Sequence, residues 1–309
     1  MIVAITGGNG FVGRHLARRL AGQGHEIRLL SRTQGTAPFG TVHVCRLGVD
    51  PPERLIPFVD GADALIHCAG EVADPARMEA THVTGTRDLL DAARGRLAHW
   101  VQLSSVGVYG PVRDGVVTED SALRPVGPYE VTKAASDALV LDAAQAGGMA
   151  FSILRPSIVF GADMTNASLR QMAKAICKGW FFFVGRPGAS ANYVHVDRVV
   201  DALEFCLTSP AARNQVFNLS DWATMERFAG ALAAGLGCRP PARRLPGPLV
   251  RLAAGAGALL PGFPLTPSRV AALSSRARYP IDRLQGAGFR LSRSLEEDAA
   301  AVGAAWRNP

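Results

Sequence analysis

An apolar run, Ile2-Val3-Ala4-Ile5, passes directly into Thr6-Gly7-Gly8-Asn9-Gly10-Phe11-Val12-Gly13 and then into Arg14-His15-Leu16-Ala17-Arg18-Arg19-Leu20. The run reads as a strand, and the apolar spacing from residue 14 suits a helix with one buried face. The glycines between them make a tight turn, and each has a task. Gly7 permits the turn, Gly10 lets the backbone approach a pyrophosphate, and Gly13 lets the helix pack closely on the sheet. Amides at the helix start, with Phe11 and Val12, then face negative charge. A glycine triplet alone also fits a purely structural turn. Its position between a first strand and a first helix points to a dinucleotide.

Gly22 and Gly24 end the helix, and Glu26-Ile27-Arg28-Leu29-Leu30 reads as a second strand, completing a parallel βαβ unit. Residues 64–69 and 100–104 look like further central strands, separated by a helix over about 78–94. A proline-free helical stretch at 133–146 precedes another strand at 151–156. This alternation predicts an α/β fold: a doubly wound parallel Rossmann sheet with a smaller C-terminal substrate-binding lobe. The expected division is 1–165 for the cofactor domain and 166–309 for the substrate lobe, with 194–207 returning to the core. The Gly- and Pro-rich stretch 238–248 separates a helix from a terminal segment, and 252–260 reads as a packing helix.

Of the 309 residues, 48% are hydrophobic and 19% charged, enough for a substantial core. No apolar run is long enough to cross a bilayer, and no basic leader precedes the first glycines, so the expectation is a cytoplasmic protein without membrane partners. The formal charge of +7 comes from dispersed arginines, without the basic, aromatic-interleaved helix of a nucleic-acid surface. Attraction of an anionic cofactor or substrate is the more economical use. Five scattered cysteines form no CxxC pair, which predicts reduced thiols and no metal site.

Where an NAD-binding chain places a carboxylate after the second strand, this one has Ser31 and Arg32. A guanidinium pairs with a ribose 2′-phosphate, so the residues favour NADP(H), with NAD(H) the alternative if Arg32 merely lies over adenine or faces solvent. Arg14 is a second candidate for phosphate, and Asp50 could meet the adenine edge or cap its loop. Tyr129 and Lys133 stand four residues apart, on one helix face. An ammonium there stabilises a phenolate whose pKa is ordinarily about 10, and orients the ribose. Ser105, after a strand, could hydrogen-bond the same reacting oxygen. Asn166 and Asn192 are candidate substrate contacts. His195 is expected to be structural, Asp197 to cap the helix after it, and Trp180-Phe181-Phe182-Phe183 to pack.

With these residues in place, the sequence resembles the extended short-chain dehydrogenase/reductase family, in its NAD-dependent epimerase/dehydratase branch. The matches are the glycine turn, His67-Cys68-Ala69-Gly70, Ser104-Ser105 through Val108-Tyr109-Gly110, Tyr129-Glu130-Val131-Thr132-Lys133, Arg155 to Gly161, and Tyr193-Val194-His195-Val196-Asp197. The resemblance implies Ser105 as the substrate-polarising serine, Tyr129 as acid/base, and Lys133 as the group that binds ribose and lowers the tyrosine pKa. It also places Ala69, Gly70, Ser104, Pro156 and Val159 beside the cofactor, and implies a homodimer built through helices that include the tyrosine helix.

Departures from the family pattern narrow the chemistry. Val106-Gly107 stands where sugar-nucleotide 4,6-dehydratases carry Asp-Glu, so that elimination is not expected. Ala191 stands where many nucleotide-sugar members have a diphosphate-binding arginine, and His82 where an asparagine is usual. The leading expectation is an NAD(P)(H)-dependent oxidoreductase or 4-epimerase acting on a carbinol or keto carbon of a nucleotide-linked sugar. The alternatives are an NADPH-dependent reductase of a non-sugar ketone, lactone or aldehyde, and a non-catalytic dinucleotide sensor or scaffold.

Overall fold

The amino-terminal apolar run is the strand Ile2–Thr6, the fifth of seven in one parallel sheet. In spatial order the strands are Gln215–Leu219, Ala150–Pro156, His99–Leu103, Ala64–His67, Ile2–Thr6, Glu26–Ser31 and Thr41–Val44. The computed structural model describes residues 1–35, 39–257 and 266–307. Strand order reverses beside Ile2–Thr6, which makes the gap between it and Ala64–His67 the topological switch point where a ligand crevice forms.

Both faces of the sheet are covered, because alternate residues of each strand point to opposite sides. Val3 and Ile5 meet Leu16, Ala17 and Leu20 of the helix Phe11–Gly22, and Val199, Leu203 and Cys206 of the helix Val196–Thr208. Ala4, Leu65 and Trp100 meet Phe58 and Leu89, with Val140 of the helix Pro128–Gln145 on the same side. The segment expected as one helix over 78–94 is helical from Pro75 to Ala93, interrupted by a π-helical stretch, Glu79–Thr84.

A second core lies under a three-stranded sheet with Ser190–His195 between Ile158–Phe160 and Asp221–Thr224. It packs the helices Ala167–Cys177, Met225–Leu236 and Leu295–Arg307. Tyr193 and Phe228 stack there, their centroids 4.4 Å apart. Phe183 is buried, as expected of the aromatic run, while Trp180 is exposed beside Lys178. The helix expected at 252–260 is described as Gly247–Gly257, and residues 258–260 lie outside the described residues.

The expected state of two cysteines is overturned. Cys177 and Cys238, expected as reduced thiols, form a disulfide with Cα atoms 5.2 Å apart. The two residues lie 61 positions apart and are brought together only by the packing of helices Ala167–Cys177 and Met225–Leu236, a contact that sequence spacing does not encode. Cys45, Cys68 and Cys206 are free. Among the described residues, no helix is long and apolar enough to cross a membrane.

Candidate active site

The glycine turn is shaped by contacts that exclude side chains. Gly7 has φ of 67°, a left-handed conformation, and a Cβ there would lie 2.7 Å from the backbone of Ala69. A Cβ on Gly13 would overlap the carbonyl of Gly7, so the helix can start this close to the turn only with glycine. Thr6 joins the two strands at the switch point: its hydroxyl meets His67 Nδ1 at 2.7 Å and accepts from the Ala69 amide at 3.0 Å. Gly7, Gly10, Ser31, Arg32, Ala69 and Gly70 line a cleft of about 700 Å³, and a Cβ on Gly10 would press on the Gly7 carbonyl at 3.0 Å. A backbone cradle and a cleft lined in part by a cation fit a dinucleotide.

Three arginines reach this cleft, of which sequence reasoning found one. Arg46 is paired with Asp50 at 2.6 Å, and Arg77 faces Glu71 at 3.6 Å. Arg32, among the described residues, has no carboxylate partner. The hydroxyl of Ser31 donates to the Thr33 carbonyl at 2.8 Å. Asp50 does not line the cleft: it accepts from both the amide and the side chain of Arg46 and closes that loop. Those bonds hold its carboxyl below the usual range. Arg14 is likewise committed, to Asp163 at 2.7 Å.

The tyrosine helix begins at Pro128, a residue suited to a first helical turn, and puts Tyr129 and Lys133 on one face. Ser105 follows the strand His99–Leu103 and caps a short 3₁₀ turn by accepting from the Gly107 amide at 3.0 Å. The phenol of Tyr129 stands close enough to Ser105 for that hydroxyl to pull its pKa down. Burial, then the charges of Glu130 and Asp137, push Tyr129 up to about 12, against the smaller downward pull of Ser105. Lys133 is buried, and its ammonium donates to the Leu103 carbonyl at 2.7 Å. Burial lowers the Lys133 pKa, and Asp137 works against that.

Asp137, one turn beyond Lys133, was missed by sequence reasoning. Its Oδ2 accepts from Ser104 at 2.8 Å and from Arg155 Nε at 3.1 Å, and Arg155 also donates to the Tyr109 hydroxyl at 3.0 Å. Ser104, expected beside the cofactor, therefore spends its hydroxyl on Asp137. The i, i+4, i+8 spacing of Tyr129, Lys133 and Asp137 was the available signal. His82 also belongs to this region: its Nε2 accepts from the Glu71 amide at 2.8 Å, and its Nδ1 meets Thr132 of the tyrosine helix at 2.7 Å. Its ring stands edge-on to Tyr129, with centroids 5.6 Å apart. Burial, then the Lys133 charge, drops His82 to about 4, so it is neutral and ties the Glu71 backbone to the tyrosine helix.

The remaining candidates are dispersed. Pro156 ends a central strand on the side of Ser104, and Val159 lies in the adjoining short strand. Asn166 caps the helix Ala167–Cys177, accepting from the Ser168 amide at 2.8 Å. Asn192 donates to the Ala277 carbonyl at 2.9 Å, and its own Oδ1 is buried without a protein partner. His195, rather than the expected Asp197, caps the following helix: its Nδ1 accepts from the Asp197 amide at 3.3 Å. The ring sits two positions before Asp197, where the chain is still extended, and so its acceptor faces the free amides.

Comparison with known proteins gives concordant likenesses. The model of the NAD dependent epimerase/dehydratase family matches residues 3–220. A protein of Stigmatella aurantiaca named 4-hydroxy-2-methyl-3-oxo-4-farnesyl-3,4-dihydroquinoline-1-oxide ketoreductase is 30% identical, over 96% of this chain and 89% of its own. The structure of a UDP-glucose 4-epimerase from Thermotoga maritima, with UDP-glucose, superposes with a TM-score of 0.77 at 18% identity, covering 99% of each chain. A short-chain dehydrogenase/reductase superfamily protein from Agrobacterium tumefaciens, with bound NAD, gives 0.77 at 22% identity, over 99% of this chain and 97% of that one.

Proposed function

We propose a function from one premise: the chain belongs to the NAD dependent epimerase/dehydratase family, and is an NAD(P)-dependent oxidoreductase or epimerase. Our reading is reversible hydride transfer at a carbinol or keto carbon of a nucleotide-linked sugar, running toward reduction with NADP(H). The observation that carries the chemistry is the convergence of Tyr129, Ser105 and Lys133 at the end of the strand His99–Leu103. Bound nicotinamide supplies or accepts hydride. Tyr129, protonated across neutral pH, donates the proton to the oxygen of a ketone. Ser105 hydrogen-bonds that oxygen as charge develops on it, and Lys133 meets the ribose. Arg32, the cleft cation without an acid partner among the described residues, supports preference for a ribose bearing a 2′-phosphate.

The sugar reading rests on what stands near Ala191. The guanidinium of Arg278 lies 3.9 Å from the ring centre of Trp222, and Trp222 pairs in register with Asn192. A cation and an aromatic face suited to a diphosphate and a base are therefore supplied beside the strand that lacks the usual arginine. A specific observation favours a second reading, reduction of an apolar ketone. Ala191 is fully buried, and the Stigmatella relative is named as a ketoreductase. Measuring kcat/KM with NADPH for a nucleotide-linked 4-keto sugar and for an apolar cyclic ketone separates the two. Preference for the sugar, reduced by Arg278→Ala, is the expected result; preference for the apolar ketone, indifferent to Arg278→Ala, replaces it with the second reading.

The reading includes a homodimer through the tyrosine helix, on which Val131 is exposed. Light scattering after size exclusion tests it, and a monomer at assay concentration removes it.

A further inference from the structure

The helices Ala167–Cys177 and Met225–Leu236 end side by side, joined by the Cys177–Cys238 disulfide. Cys177 is exposed and Cys238 half-buried. The disulfide forms part of the wall of a cleft of about 530 Å³, apart from the dinucleotide cleft. Lys178, Arg239 and Arg243 line the same cleft together with Pro240 and Pro241, and no carboxylate does. Among the described residues none of the three cations is paired with an acid. Lys178 stands instead 4.9 Å from the ring centre of Trp180. The two helix carboxyl ends contribute roughly half a negative charge each, which three cations outweigh.

We propose that this cleft is a thiol-exchange site that recognises small thiols bearing carboxylates, of which glutathione is an example. The cations hold the carboxylates while the thiolate attacks Sγ of Cys177, the more exposed of the two cysteines. A sulfur–sulfur bond forms between thiol and Cys177 as the Cys177–Cys238 bond breaks, and Cys238 leaves as a thiolate. A second thiolate then attacks the mixed disulfide, releasing Cys177 as a thiolate and the oxidised thiol as its disulfide. The protein gains two electrons and the two thiols lose them. The free cysteines do not compete: Cys45 and Cys206 are buried, and burial pushes both Cys206 and Cys68 up to about 12, away from the reactive thiolate.

The test follows reduction of the oxidised full-length protein by glutathione and by uncharged 2-mercaptoethanol. Samples are quenched with iodoacetamide, and labels and adducts are mapped by peptide mass spectrometry. Lys178, Arg239 and Arg243 are exposed, so the triple variant Lys178→Gln/Arg239→Gln/Arg243→Gln is expected to fold, with circular dichroism as the check. The expected result is a glutathione adduct on Cys177 and a glutathione rate, relative to 2-mercaptoethanol, about ten-fold higher in the wild type than in the triple variant at low salt. That ratio converges at high salt. Equal ratios in wild type and variant, adducts confined to other cysteines, or Cys177 and Cys238 found as free thiols in air-oxidised protein would each overturn the proposal.

Discussion

Arg32 and Tyr129 illustrate how single side chains decide cofactor and direction. If Arg32 carries the 2′-phosphate, Arg32→Ala raises KM for NADPH by about 10- to 100-fold, in line with about 1.5–3 kcal/mol for a hydrogen bond to a charged group, and leaves KM for NADH nearly unchanged. Steady-state kinetics with both cofactors checks this. Asp137→Asn removes the charge that offsets the burial of Lys133 and leaves Arg155 without its anion. The expected outcome is a loss of about 3–5 kcal/mol of stability, read from urea denaturation. Tyr129, Lys133 and Ser105 were legible because four-residue spacing and a strand end are local features. Ser104 and Asp50 were harder to place, because their partners are chosen by contacts such as Asp137 with Arg155 or by the closing of a single loop.

At the scale of elements, the strand–turn–helix at the amino terminus is the most strongly specified part of the chain. Gly13→Ala forces its new methyl against the Gly7 carbonyl, so the variant should lose about 1–3 kcal/mol and bind NADPH more weakly. Thermal unfolding with and without NADPH measures both effects. Long apolar strands and the tyrosine helix could be read directly, since their periodicity spans several turns or most of a strand. Thr41–Val44 and Gln215–Leu219 were not identified: both are edge strands, the first with no buried residue and the second with Gln215 and Asn218 among its apolar residues. The π-helical stretch Glu79–Thr84 was also hidden, because one extra residue per turn leaves the apolar pattern almost intact.

At the scale of the whole molecule, buried histidines tie stability to pH. Burial, with a nearby cation, lowers His82 and His99 to about 4, while the unfolded chain titrates near 6.5. The unfolded state therefore binds more protons between those values, and stability falls as pH drops through that window. Each histidine should cost about 2 kcal/mol by pH 5 relative to pH 7.5, and His99→Gln should flatten the profile measured by chemical denaturation. The same molecule packs two cores, and its proposed proton transfer turns on Tyr129. Its most direct test is the single-turnover rate of NADPH oxidation by a keto substrate in the wild type and in Tyr129→Phe. A loss of about 10²- to 10⁴-fold with unchanged affinity for NADPH is predicted, and an undiminished rate would contradict the assignment of Tyr129 as the proton donor.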